Sequence, residues 1–113
     1  MKVKEKELIA DYMELIFNSA RMSLYSYKDG REFKFNSNDA SFCAQEMQNR
    51  GDWEKFKGFA VDYFPYTINT STINSIDGLG RELSNMYSQF IIWIFDAENF
   101  FNAMAAWRKE EIK

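Results

Sequence analysis

The last third of the chain carries the most regular alternation of apolar and polar positions. Leu83, Tyr87, Phe90, Ile94, Ala97, Phe101 and Met104 follow one another at steps of four and three, the a/d seam of a heptad helix. Met86, Trp93, Phe100 and Trp107 recur every seven residues beside that seam and widen it into the apolar face of a core-facing bundle helix. The pattern predicts one long element from about Gly78 to Glu110. Roughly 30 residues at ~1.5 Å each approach ~45 Å, whereas a globule of this size has a radius of gyration near ~13 Å. Such a helix overhangs the body unless it kinks or a partner lies beside its end.

The run FIIWIF, Phe90 to Phe95, does not fit a one-sided helix. Ile92 and Phe95 fall opposite the seam, among Asn85, Ser88, Gln89, Asp96, Asn99 and Asn102. From Leu83 to Trp107 only Asp96 and Glu98 are charged. A membrane span is disfavoured, because an acid at a bilayer centre costs ~2.5–3.5 kcal/mol and two acids accompany three asparagines here. Two compatible readings are left. The middle turns are buried on nearly all sides, or Ile92, Phe95 and their uncharged surroundings form a contact surface.

Upstream, Leu8, Ile9, Tyr12, Met13, Ile16, Phe17 and Ala20 predict an amphipathic helix from Lys4 to about Ala20. Its outer face carries Glu7, Asp11, Glu14 and Asn18. The following Met22–Asn36 stretch admits two readings. The helix continues to Tyr27 and stops at Gly30, an expected helix-ending residue. Alternatively Tyr25 and Tyr27 face Phe33 and Phe35 across an Asp29-Gly30 turn as a β-hairpin, which the alternating aromatics favour slightly. Ser37, Asn38 and Asp39 are candidate N-caps for a short helix through Ala40, Cys43, Ala44 and Met47, closed by Gly51. Asp52 caps another, with Trp53, Phe56, Ala60 and Tyr63 on one side, ending before Pro65. The charge-free segment YTINTSTINSI, Tyr66 to Ile76, holds a five-residue echo (TINTS, TINSI) too short to be a solenoid repeat and reads equally as strand or loop. The expected fold is a mainly α, compact bundle of about four helices with a long central C-terminal helix and a small hairpin after helix one. Residues 1–113 form one helical domain.

Composition narrows the chemistry. Histidine is absent, which removes Ser-His and Cys-His nucleophile pairs, imidazole general bases and His-containing zinc sites. One cysteine, Cys43, allows no internal disulfide and suits a reducing, cytoplasmic compartment. The N-terminal MKVKEKELIADY lacks the uninterrupted apolar segment of a signal peptide, so the Asn69-Thr70-Ser71 sequon is expected to be unused. A net charge of −3 gives no global steering toward nucleic acid or anionic lipid. Aromatics at 18% fit a firm core or a sticky surface without choosing between them.

Candidate sites are few. The acidic stripe Glu7, Asp11, Glu14 resembles a solvated helix face or a secondary contact for a basic partner, and one helix cannot surround a metal with oxygens. Tyr25, Tyr27, Lys28, Arg31 and Lys34 interleave aromatics with cations, the recipe for holding single-stranded nucleic acid or a nucleotide. Asp29 and Glu32 dilute that charge. Asp77-Gly78-Leu79-Gly80-Arg81 lacks the third glycine and the Lys-Ser/Thr pair of a phosphate-binding turn and reads as a helix entry. No constellation identifies an active site, a metal site or a cofactor. The expected role is binding without catalysis: a small protein that occupies a surface of a larger one, as inhibitors, immunity proteins, phage counter-defence proteins and adaptors do. Ile92, Phe95, Asp96, Asn99 and Trp107 are the expected contacts. A helical homodimer with a structural role is the alternative, followed by the nucleic-acid module.

Overall fold

Helix α5 (Ala97–Glu111) is the axis of the structure. This computed structural model describes residues 1–18, 24–66 and 73–112. Around α5 lie α1 (Val3–Met13), α2 (Ser37–Arg50), α3 (Trp53–Tyr63) and α4 (Ile76–Ile94), each packed against it. Strands β1 (Ile16–Asn18), β2 (Leu24–Ser26) and β3 (Glu32–Phe33) form a small antiparallel sheet between α1 and α2, in the order β1-β2-β3. The mainly helical class and the strands after helix one are as expected.

Three turns of α5 are apolar on most sides. Phe100, Phe101, Ala103, Met104, Ala105 and Trp107 are buried. Phe101 meets Phe33 and Phe35 of the hairpin edge-on at 5.8 and 5.3 Å. Phe100 lies 5.3 Å from Phe56 of α3, and Trp107 fits between Tyr12 of α1 and Phe56, 5.6 Å from each. Edge-to-face pairs of this kind add about 0.5–1.5 kcal/mol each beyond their area. Ile9, Cys43, Met47, Phe56 and Ala60 complete the fully enclosed centre.

Helix α1 stops at Met13, about two turns before the expected Ala20. Glu14 takes the left-handed conformation at φ 55°, and the Glu14 and Leu15 amides donate back to the Asp11 and Ala10 carbonyls at 3.3 and 2.9 Å. β-Branched Ile16 and aromatic Phe17 then gain more as strand residues, pairing with Ser26 and Tyr25. The hairpin reading of Tyr25 to Phe35 holds. Tyr25 lies opposite Phe33, the Tyr27 amide donates to the Arg31 carbonyl at 2.8 Å, and Gly30 at φ 92° makes the turn.

The cap of α2 is Asn36, one residue before the expected candidates. Its side-chain oxygen accepts from the Asp39 amide at 3.0 Å, and the Asp39 carboxylate accepts in return from the Asn36 amide, a reciprocal capping box. Helix α2 closes at Gly51 (φ 76°), and α3 ends at Tyr63, two residues before Pro65. The TINTS half of the echo falls on residues 67–71 and lies outside the described residues, as do Ala20 and the Asn69 sequon.

The single long C-terminal helix is in fact two. Helix α4 begins where the Ser75 hydroxyl accepts from the Gly78 amide at 3.1 Å, so the Asp77–Arg81 glycines are helix entry. It ends at Ile94, and Asp96 adopts an extended backbone, φ −72° and ψ 127°. The cause is local: the Asp96 carboxylate caps α5 by accepting from the Asn99 amide at 3.2 Å, a role aspartate performs better than helix interior. Even so, the molecule measures 59 × 28 × 26 Å with a radius of gyration of 16.8 Å. The break at the elbow is the kink that the length arithmetic left open, and the molecule is still elongated.

Candidate partner-binding surface

The elbow joining α4 to α5 is built from backbone and short side chains. Below the Asp96 cap, the Asn99 side-chain amide donates to the Trp93 carbonyl at 3.1 Å, and the Phe95 and Asp96 amides donate to the Ile91 and Trp93 carbonyls at 3.3 and 3.2 Å. These bonds close the turn, and Ile92 and Phe95 lie on its outer side. Both are about three-quarters exposed, 75% and 76%. Large apolar side chains at that exposure are costly to leave in water, each forgoing about 1.5–3 kcal/mol of burial.

Beside the elbow runs a groove of about 340 Å³, walled by Ala40 and Ala44 of α2, Trp53 and Phe56 of α3, and Phe90, Ile94 and Phe95 of the elbow. It is mostly apolar, with Lys57 and Gln48 at its rim. None of its α2 and α3 walls stood out in the sequence as contact residues, because alternating small and aromatic residues on those helices are equally the signature of a core. Helix α3, 11 residues, extends ~17 Å and α4, 19 residues, extends ~28 Å, and the two meet at their C-terminal ends, where Tyr63 lies 6.2 Å from Trp93.

Of the expected contact residues, the structure brings Ile92, Phe95, Asp96 and Asn99 together at the elbow. The first two face solvent, and the last two are the turn itself. Trp107 departs from the expectation as a contact: it is 2% exposed, locked between Tyr12 and Phe56 with the Arg108 guanidinium 4.9 Å from its ring. Its position in the seven-residue repeat beside the seam was a core signal. Glu7, Asp11 and Glu14 are all exposed, but they do not form one stripe. Glu14 sits on the left-handed residue past the end of α1 and pairs with Lys28 at 3.6 Å. Among the described residues no group of three or more acids or cysteines could hold a metal ion.

Of the nucleic-acid candidates, Tyr27, Arg31 and Lys34 share one surface depression and Tyr27, Lys28 and Arg31 another. Tyr25 is buried in the core, and burial together with Glu7 and Asp11 pushes its phenol up. Tyr27 donates its hydroxyl to Asp39 at 2.7 Å. Each cation has an acidic neighbour: Lys28 with Glu14, Arg31 with Asp29 at 2.8 Å, and Lys34 with Glu32 at 3.7 Å. The Arg31 guanidinium also stacks over Tyr27 and Phe42 at 5.0 and 5.2 Å. Cys43 is fully enclosed, and burial first, then Asp39 and Glu46, push its thiol up. Such a thiol is a small hydrophobe rather than a nucleophile.

Among the described residues, no helix is long and apolar enough to cross a membrane. Comparison with protein-family models, with curated proteins and with solved structures finds no match to this chain.

Proposed function

We propose that this protein acts by binding, without catalysis, a larger protein through its elbow, stoichiometrically and in the manner of an inhibitor, immunity protein or adaptor. The observation that supports this reading is the juxtaposition of two three-quarters exposed side chains, Ile92 and Phe95, with an apolar groove on a hydrogen-bonded turn. Aromatic and aliphatic anchors beside a groove are what dominate protein–protein binding energy, and a preorganised turn lowers the ordering cost of association. The absence of histidine and the enclosure of Cys43 favour binding over chemistry. A cytoplasmic setting goes with this proposal, since the one thiol needs no oxidising compartment.

The test is capture on the immobilised full chain followed by titration calorimetry with the purified captured protein. Phe95→Asp should abolish binding while the far-ultraviolet circular dichroism stays unchanged. Loss of helicity in that variant would make Phe95 part of the core and end the proposal.

A further inference from the structure

Helix α4 carries two neighbouring rows of residues spaced by four. Gly78, Glu82, Met86, Phe90 and Ile94 are buried or half-buried, with Tyr66 bonded to Glu82 at 3.2 Å and Phe64 against Phe90 at 5.8 Å. The adjacent row, Leu79, Leu83, Tyr87 and Ile91, is equally apolar and uncovered, at 42%, 37%, 52% and 52% exposure. Leu83 and Tyr87 are the first two residues of the heptad seam whose later members form the core.

We infer that this second row pairs two copies of the chain, with their α4 helices antiparallel. A row at steps of four is an i±4n ridge, and two such ridges interdigitate at a crossing angle of about −50°. The spacing reads the same in both directions, so a two-fold axis between Leu83 and Tyr87 sets Leu83 opposite Tyr87 and Leu79 opposite Ile91 of the second copy. Self-complementarity of this kind is what an isologous contact requires.

Helix dipoles favour the antiparallel direction, which sets the positive end of each α4 beside the negative end of the other. All charges of α4, Asp77, Arg81 and Glu82, lie in its first half, and none lies between Leu83 and Phe95; Asp77 and Arg81 fall on the side of the helix away from Leu79 and Leu83. The same inventory disfavours a lipid surface as occupant, because an interfacial helix needs cations on its polar face and α4 has one against two acids. The area suffices as well. Four to five half-exposed side chains, with Ile76 at 88%, offer on the order of 500 Å² of apolar surface per copy. With the usual polar rim that becomes ~800 Å² per copy, the size of a stable interface. Ile91 also lines the elbow groove and Phe95 is the next residue of the row, but Leu83 and Tyr87 lie two turns or more from the elbow, so substitutions there test self-association apart from the proposed binding role.

Sedimentation velocity on the full chain from about 1 to about 100 µM, the range in which an interface of this size is populated, should give twice the 13.4 kDa monomer mass. Leu83→Lys and Tyr87→Asp should each give monomers with unchanged helical circular dichroism, since both side chains are exposed. An equimolar mixture of the two variants should dimerise. The new ammonium at position 83 of one copy then faces the new carboxylate at position 87 of the other, while Leu83 and Tyr87 meet natively in the second contact. If either change lowers helicity, Leu79→Lys and Ile91→Asp form the second complementary pair. Wild-type protein that stays monomeric throughout, or a dimer indifferent to both substitutions, overturns the inference. A mixture that stays monomeric overturns the antiparallel register.

Discussion

Removing the carboxylate of Asp39 is the most severe single polar change this structure allows. Asp39 is 5% exposed, and its two oxygens tie the hairpin to the start of α2. Oδ1 accepts from the Tyr27 hydroxyl at 2.7 Å, and Oδ2 accepts from the Lys34 amide at 2.7 Å and, at a longer 3.4 Å, from the Asn36 amide. Hydrogen bonds to a charged acceptor contribute roughly 1.5–3 kcal/mol each, and a buried donor left unpaired costs ~1–3 kcal/mol. With two short bonds, one weak one and half of a capping box, Asp39→Ala should lose ~3–4 kcal/mol, a large share of the ~5–15 kcal/mol expected for a domain. Tyr27→Phe removes one donor and should lose ~1–2 kcal/mol. Asp39→Asn keeps a carbonyl oxygen for the two amides and should fall between them. Urea unfolding followed by circular dichroism, with equal m-values across the set, measures all three. In the double variant the Tyr27 loss should largely vanish, giving a coupling energy of ~1–2 kcal/mol. A loss under ~1 kcal/mol for Asp39→Ala, or additivity of the two changes within ~0.5 kcal/mol, would refute the network.

Two further outcomes follow from the elbow and from the buried phenols. Asp96→Ala removes the α5 cap and should cost about 1 kcal/mol, read as a lowered Tm with no loss of helical signal; an unchanged Tm would mean the cap does not hold the turn. The phenols of Tyr12 and Tyr27 are raised above the usual tyrosine value, by burial first and then by their bonds to Asp52 and Asp39, and Tyr25 is raised by burial and nearby acids. A raised folded-state value means the unfolded chain loses its proton first. The associated stability is therefore complete below the ordinary value near ~10 and is lost as pH rises beyond it. Urea midpoints should fall above about pH 10, each group adding ~1.4 kcal/mol per pH unit, with a shallower fall in Tyr27→Phe; a midpoint flat to pH 11 contradicts the burial of these groups.

Much of this architecture was legible because period and punctuation agree. Gly51, Pro65 and the Asp29-Gly30 turn bound elements where local sterics alone decide. The sequence misled where two local preferences competed. Ile16 and Phe17 continue the helical spacing of α1, yet they are strand formers, and only the presence of Tyr25 and Ser26 opposite them settles the contest. Asp96 sits within an unbroken seven-residue repeat, so periodicity carries a helix through it. Its cap bond to Asn99 is worth more than the continuation. Asn36 outcompetes Ser37 and Asn38 as a cap because Asp39 is three residues on and can return the bond. At the candidate surface, Ile92 and Phe95 were visible as apolar residues on a polar back. Trp107 was misplaced although its position in the seven-residue repeat beside the seam marked it for the core.

The packing of α1 against α5 also has a bearing on how the chain is made. Ile9, Ala10 and Tyr12 are covered by a helix that begins roughly 90 residues later in the sequence. At ~5–20 residues per second of synthesis, that interval is ~5–20 s, during which the first helix has emerged without its permanent cover. Closure of the core must wait for the last helix, and long-range closure slows folding relative to a bundle of sequential neighbours. A ribosome-stalled chain ending before Ala97 should accordingly be protease-sensitive throughout, including in the segments that are most deeply enclosed once synthesis is finished.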